Sequence, residues 1–219
     1  MIGKGKSISH GVAALEYDLA KEIDGQAAAT EIARHELYGC TGAEMVQEMK
    51  PYFTDFPNVK NNCLRFEVSP SIEESSSFTD ADWAELGNDF MQHMGLMNHQ
   101  YIIIKHSGTE SKKKQAHLHI LANRISLSGE LYRDNWIGKR ATEAANAIAK
   151  ERSFVQSQDI GKANKAEIKE AMDGVLKKMQ DFDLTKFKEE LGKRGFKVRE
   201  ARASTGKLNG YYVTARSGT

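Results

Sequence analysis

Three histidines near the middle of the chain have the spacing of a metal site. His117 and His119 are separated by one residue in the stretch AHLHILAN, so on a β-strand both imidazoles would point to the same face. The apolar stretch YIIIKH ends at His106, which completes a cluster of three nitrogen ligands if the two stretches pair as an antiparallel hairpin. Three protein ligands leave coordination positions open, as at catalytic metal ions. The alternative is an ordinary hairpin whose solvated face carries these polar side chains.

A tyrosine near the start of the chain is a candidate nucleophile. Residues 10–22 have apolar side chains at helical spacing, namely Val12, Leu15 and Leu19, which predicts an amphipathic helix. Tyr17 lies nearly opposite this stripe and is therefore free to line a site, although exposed helix tyrosines without a function are common. A phenol titrates at pH ~10, so another group must deprotonate it or accept its proton as the new bond forms.

These stretches resemble a known family. The order HQYIIIKH, a short polar loop and HLHILANRIS is similar to the third motif of the plasmid mobilization relaxases, which belong to the HUH endonucleases. The stretch GVAALEYDL resembles their first motif, in which the catalytic tyrosine lies. The resemblance implies that His106, His117 and His119 bind a divalent cation and that Tyr17 is the nucleophile.

The third ligand and the metal remain open. Many mobilization relaxases have a compact loop with an aspartate two residues after the first histidine, where this chain has Gly108 and a longer loop. Glu110 and His99 therefore remain alternatives to His106. Imidazole binds zinc, manganese, iron and nickel, so the residue types do not name the metal. We expect Mn²⁺ or Mg²⁺ as the cofactor, with Zn²⁺ or Ni²⁺ as alternatives.

The resemblance implies a site- and strand-specific endonuclease that nicks DNA at an origin of transfer and so initiates conjugative mobilization. Tyr17 would form a 5′-phosphotyrosine link, and we nominate Glu67 or a nearby histidine as the base. The expected partners are single-stranded DNA at the origin of transfer, accessory mobilization proteins and a coupling protein. The expected DNA contacts are Lys112, Lys113, Lys114, Asn123, Arg124, Arg199, Arg202 and Lys207.

Composition fits a globular nucleic-acid enzyme only when the distribution of charge is considered. The 219 residues are 40% hydrophobic and 28% charged, with a formal net charge of +1. Residues 66–104 contain seven acids and no lysine or arginine, whereas residues 185–207 contain eight bases and three acids, a net charge of +5. A basic region is what phosphate binding requires, although solvated charge runs are common. Without a membrane-spanning run, a signal peptide or a cysteine motif, we expect a cytoplasmic protein.

The fold class predicted from these patterns is α+β, with a largely antiparallel central sheet flanked by helices on one face. Capping boxes at Thr41 and Thr79 each predict a helix start, and CLRFEVS from Cys63 alternates as a strand. The resemblance implies one relaxase nuclease domain over residues 1–219, with a helical and β-hairpin part over residues 155–219. A fragment of a longer protein is the alternative.

Other functions also fit parts of the sequence. A replication initiator or a single-strand transposase of the HUH group would share the metal and tyrosine chemistry. A non-catalytic accessory factor that binds single-stranded DNA would use the histidines structurally. A metal hydrolase of small molecules would leave the early tyrosine and the basic tail without a role.

Overall fold

The computed structural model describes residues 1–108 and 115–215, with only the backbone at 215. The chain divides into two compact units, Met1–Ser157 and Gln158–Thr219. Along the described residues the elements are β1 (Ile2–Ile8), α1 (Gly11–Leu19), β2 (Glu22–Ile23), β3 (Gln26–Ala27), β4 (Ala29–His35), α2 (Gly42–Met49), a 3₁₀ turn (Lys50–Phe53), β5 (Cys63–Ser69), α3 (Ile72–Ser75), α4 (Asp80–Met94), β6 (His99–His106), β7 (His117–Ser126), α5 (Ile137–Glu151), α6 (Ser157–Leu176), α7 (Leu184–Lys193), β8 (Phe196–Arg202) and β9 (Leu208–Ala215).

A five-stranded sheet in the order β1-β5-β7-β6-β4 forms the centre of the first unit. Every neighbouring pair in it is antiparallel, which confirms the predicted α+β class. Strands β6 and β7 form the hairpin expected from the histidine spacing, and β7 is the middle strand. The candidate metal site therefore lies on central strands, where both neighbours fix the backbone.

Side chains alternate between the two sheet faces along β5 and β7, and those on one face form the larger of the two hydrophobic cores in the first unit. Leu64, Phe66 and Val68 on β5 are buried beside Leu118 and Ile120 on β7. Helices α4 and α5 cover this face with apolar side chains that include Trp83, Phe90, Ala145 and Ile148. Burying such side chains contributes roughly 1.5–3 kcal/mol each, so this layer holds the sheet rigid beneath the histidines.

Helices cover both faces of the sheet, so the prediction of helices on one face was wrong. Leu15 of α1 packs with Met45 and Met49 of α2 against Ile102 and Leu121 on the face opposite α4 and α5. This second core closes one end of that face and leaves the histidines near its edge. The sequence pattern missed it because α1 buries a narrow strip, with Val12 of the predicted stripe remaining exposed.

Helix ends follow the local signals. Thr41 and Thr79 form the predicted capping boxes with Glu44 and Asp82, which pairs amide donors that a helix start leaves unsatisfied. Gly95 ends α4 in the left-handed conformation at φ 71°. Within the described residues, no helix has both the length and the apolar composition needed to cross a bilayer.

The second unit contains α7, the β8–β9 hairpin and most of α6. Asp183 caps α7 by accepting from the Lys186 amide. A small core of its own includes Val175, Leu191 and Phe196. The hairpin turns at Gly206, which has φ 83°.

Candidate metal centre

The β6–β7 hairpin brings three imidazoles together on one face of the sheet. His106 pairs with His117 across the hairpin, and His119 lies two residues along β7 on the same face. The ring of His106 lies 5.3 Å from that of His117 and 4.3 Å from that of His119, measured between centroids. One ligand nitrogen from each residue falls within 4.8 Å of the other two, so the cluster could hold a metal ion.

Burial favours the metal-binding form of His106 and His119. His106 and His117 are buried, and desolvation lowers the pKa of His106. Desolvation, reinforced by the neighbouring histidines and by Arg65 and Lys4, lowers the pKa of His119 to about 2. A neutral imidazole offers the lone pair that a metal needs, so the donor set fits a divalent cation near neutral pH.

Asp18 of α1 connects two of these histidines to the helix. The Nε2 of His106 lies 2.7 Å from the Asp18 carbonyl oxygen, which places the ring proton on Nε2 and leaves Nδ1 as the ligand atom. The Asp18 carboxylate lies 3.6 Å from Nδ1 of His119, beyond hydrogen-bond distance, so it faces that ring as a nearby negative charge. Asp18 thus orients the ring of His106 and places a charge beside that of His119.

Arg65 of β5 holds the Asp18 carboxylate in place. Its Nε donates to Asp18 Oδ2 at 3.0 Å, and its Nη2 contacts the other carboxylate oxygen and lies 3.3 Å from His119 Nδ1. Burial raises the pKa of Asp18, and the hydrogen bond from Arg65 opposes that rise. The pair allows a carboxylate with only 2% exposure to lie beside the histidines.

Tyr17 is the residue directly before Asp18 on α1. Its side chain is 61% exposed and faces away from the second core, as the stripe on α1 predicts. Lys21 lies just after the end of α1, with Nζ 6.0 Å from the centre of the Tyr17 ring. Because Asp18 contacts His106 and His119, the backbone of Tyr17 is fixed next to the cluster while its phenol remains accessible.

A cavity of about 220 Å³ opens beside His119 at the edge of the sheet, lined by Lys4, Gly5, Lys6, Arg65, Phe66, Glu67 and His119. The strand register places Lys4, Glu67 and His119 side by side on three adjacent strands. Lys4 Nζ contacts Glu67 Oε1 at 2.9 Å. Of the three cationic side chains in the lining, Lys4 pairs with Glu67 and Arg65 pairs with Asp18, and Lys6 adds a further positive charge that suits a phosphate.

His99 lies elsewhere on the hairpin. It is buried near the far end of β6, where its Nδ1 lies 2.9 Å from the Asn123 carbonyl oxygen and its ring packs against Tyr132. Among the described residues His106 is therefore the histidine that joins the pair on β7. Glu110, the other alternative, lies outside the described residues.

Asn123 and Arg124, predicted to contact DNA, are engaged within the protein. Asn123 is fully buried, and its amide donates to Gln100 Oε1 at 2.9 Å and accepts from the Ile125 N–H. Arg124 donates to the Asn61 and Tyr132 carbonyl oxygens and pairs with Asp134 at 2.7 Å. These contacts hold β7 in register and give both residues a structural role.

The remaining predicted DNA contacts fall into two groups. Lys112, Lys113 and Lys114 lie outside the described residues. Arg199, Arg202 and Lys207 lie on the β8–β9 hairpin of the second unit, with exposed side chains. Of these three residues, Arg202 already forms an ion pair within the protein, with Glu200 at 2.8 Å.

The sequence analysis missed Asp18 and Arg65. Arg65 could have been predicted from the alternation of side chains along β5. Leu64 and Phe66 are buried on one face, so Arg65 and Glu67 lie on the opposite face, which carries the histidines. Asp18 follows the predicted nucleophile and, unlike Tyr17, belongs to the buried side of α1. Its contact with β5 and β7 depends on how α1 crosses the sheet.

Comparison with known proteins gives one family. The model of a relaxase nuclease domain, described as MobA/VirD2-like, matches residues 17–154. The chain also resembles a solved structure of the conjugative relaxase TrwC with oriT DNA in a metal-bound state, with 11% identity and a TM-score of 0.40 over 94% of this chain and 74% of that one. A copper-bound TrwC–oriT structure gives 11% identity and a TM-score of 0.37 over 94% and 75%. No curated protein sequence matches the chain significantly.

Proposed function

Since the chain belongs to the relaxase family, with a MobA/VirD2-like nuclease domain, we propose that it nicks one DNA strand at an origin of transfer and remains attached to the 5′ end. The observation that supports this most is the direct contact between the tyrosine helix and the histidine cluster, made through Asp18. The exposed Tyr17 directly precedes Asp18 in the chain, which supports Tyr17 as the proposed nucleophile.

The proposed reaction is a transesterification. The phenol oxygen of Tyr17 forms a bond to the scissile phosphorus, and the bond from phosphorus to the 3′ oxygen breaks. The phenol proton passes to a base, and the departing 3′ oxygen takes up a proton to become a hydroxyl. Since one phosphoester replaces another, the step requires no nucleotide cofactor and can reverse to rejoin the strand.

His106, His117 and His119 would hold the divalent cation, with Mn²⁺ or Mg²⁺ as the proposed species. Such a cation supplies positive charge to the non-bridging oxygens of the scissile phosphate. Lys4, Lys6 and Arg65 line the neighbouring cavity, where they would attract and orient the phosphate. Glu67 shares that cavity and is the proposed acceptor of the phenol proton.

The substrate and partners extend this proposal. We expect single-stranded DNA at the origin of transfer, with Arg199, Arg202 and Lys207 as further phosphate contacts from the second unit. Accessory mobilization proteins and a coupling protein are the proposed protein partners. Residues 1–219 would form the nuclease domain, with residues 155–219 as its C-terminal part.

A covalent adduct assay tests the function. The protein is incubated with Mn²⁺ or Mg²⁺ and labelled single strands from its own genetic neighbourhood, then separated under denaturing conditions. We expect an adduct with the wild type and with Tyr38→Phe, an exposed tyrosine of the same unit, but none with Tyr17→Phe or His119→Ala. An adduct with Tyr17→Phe would refute the assigned nucleophile. Metal-independent binding without any adduct would favour the accessory-factor function.

A further inference from the structure

Trp136 is an unusually placed tryptophan at the start of α5. Its side chain is 80% exposed, the highest value among the large hydrophobic side chains of the described residues. Its backbone has φ 56° and ψ 27°, the left-handed region that bulky residues rarely adopt. The second tryptophan of the chain, Trp83, is buried in the core at 3% exposure.

The turn that presents Trp136 is well fixed. Asp134 accepts from Ser7 Oγ on β1 and pairs with Arg124. The Ile137 N–H donates to the Asp134 carbonyl oxygen at 3.1 Å, and the Arg140 N–H donates to that of Trp136 at 2.9 Å. The backbone that carries the exposed indole is therefore fixed by bonds on both sides of it.

Neither stability nor helix capping explains a tryptophan here. The side chain makes no cap hydrogen bond to α5, and a left-handed residue at this point costs less as glycine or asparagine. Because the indole is exposed to solvent, it contributes little hydrophobic stabilisation to the fold. A strained, exposed aromatic residue that the fold holds in position is typical of a binding surface.

The surroundings of Trp136 suit a nucleic acid. Helix α5 packs along the edge strand β1, and the Thr142 hydroxyl donates to the Gly3 carbonyl oxygen at 3.0 Å. Strand β1 also carries Lys4 and Lys6, which line the cavity beside His119. Arg133, Lys139 and Arg140 flank Trp136 in sequence, and the one acid among them, Asp134, is already paired with Arg124.

We propose that Trp136 stacks on a nucleobase of the single-stranded substrate, whose backbone follows the lysines of β1 towards the histidine cluster. This inference rests on the proposed function and adds a base-binding position to it. Indole and base faces stack without regard to base identity, while the neighbouring cations hold the phosphates. Trp136 would therefore add affinity at a distance from the reacting atoms.

Tryptophan fluorescence provides a direct test, because stacking on a base quenches an exposed indole. The wild type is titrated without metal with a random-sequence single-stranded oligonucleotide and, separately, with an abasic strand of the same length. We expect quenching by the first strand alone, and no quenching in Trp136→Phe, in which only buried Trp83 emits. Fluorescence anisotropy of the labelled strand should show affinity reduced about 5- to 100-fold in Trp136→Ala.

Two variants separate stacking from a backbone role. Trp136→Gly relieves the left-handed strain and should unfold no more easily than the wild type, yet bind the strand as weakly as Trp136→Ala. Tyr38→Ala, which removes another exposed aromatic ring from the same unit, should leave affinity unchanged. Wild-type affinity in Trp136→Gly, in a protein that still forms the adduct, would overturn this inference alone. A wild type that neither binds single strands nor forms an adduct would overturn the proposed function as well.

Discussion

Replacing Asp18 by asparagine tests how the histidine cluster is held. The change keeps the backbone carbonyl that contacts His106, so that ring should stay oriented. It removes the charge facing His119 and Arg65. We therefore expect weaker metal binding with an intact triad, in contrast to the full loss of a ligand in His119→Ala.

The expected losses of metal affinity and of stability in Asp18→Asn follow from the two contacts of the carboxylate, with His119 and with Arg65. A partner that orients a metal-bound imidazole contributes about 10- to 100-fold in metal affinity. Breaking a buried ion pair costs roughly 3–5 kcal/mol. Because the Arg65 side chain is 20% exposed, water can partly replace its lost partner. We therefore expect Asp18→Asn to lower the free energy of unfolding by about 3 kcal/mol.

Titration calorimetry with Mn²⁺ and urea unfolding of the metal-free protein measure the two effects separately. Glu200→Gln is the matched control, because it removes a carboxylate from a surface pair with Arg202 that contributes about 1 kcal/mol or less. Wild-type metal affinity in Asp18→Asn would refute the orienting role. If metal affinity is unchanged and the free energy of unfolding is reduced, Asp18 stabilises the fold without contributing to metal binding.

Two further predictions concern stability. The pKa of His119 in the folded protein is about 2, below its ordinary value. As the pH falls, the unfolded chain therefore binds more protons than the folded protein does. Below pH ~6.5 the free energy of unfolding of the metal-free protein should drop by about 1.4 kcal/mol per pH unit. Urea unfolding between neutral and acidic pH should show that slope flattened in His119→Gln, and equal slopes would contradict it. Gly3→Ala should destabilise by about 1–3 kcal/mol, because a Cβ there would lie 2.4 Å from the Ala141 carbonyl oxygen and 2.6 Å from the Ala145 Cβ. Gly138→Ala, whose Cβ would make only an ordinary contact at 3.4 Å, is the control, and equal melting temperatures would refute the packing argument.

Much of the framework could be predicted from local patterns. The His-x-His spacing requires both imidazoles on one face of any strand, and the hairpin register adds His106. Thr41 and Thr79 mark helix starts because a hydroxyl and a carboxylate three residues apart satisfy amides of the same helix. Each of these features depends on neighbours a few residues away.

Tertiary structure decided what surrounds the cluster. Asp18, Arg65 and His119 come from three elements far apart in sequence, and they meet only because α1 packs across the sheet face opposite α4 and α5. The exposure of Trp136 likewise depends on how α5 packs beside β1. The sequence by itself determined that His117 and His119 share one face of a strand and that Tyr17 lies away from the buried side of its helix, since strand alternation and helical spacing are local. The packing of distant elements determined which carboxylate lies beside the histidines, because that choice depends on burial and on charge pairing across the sheet.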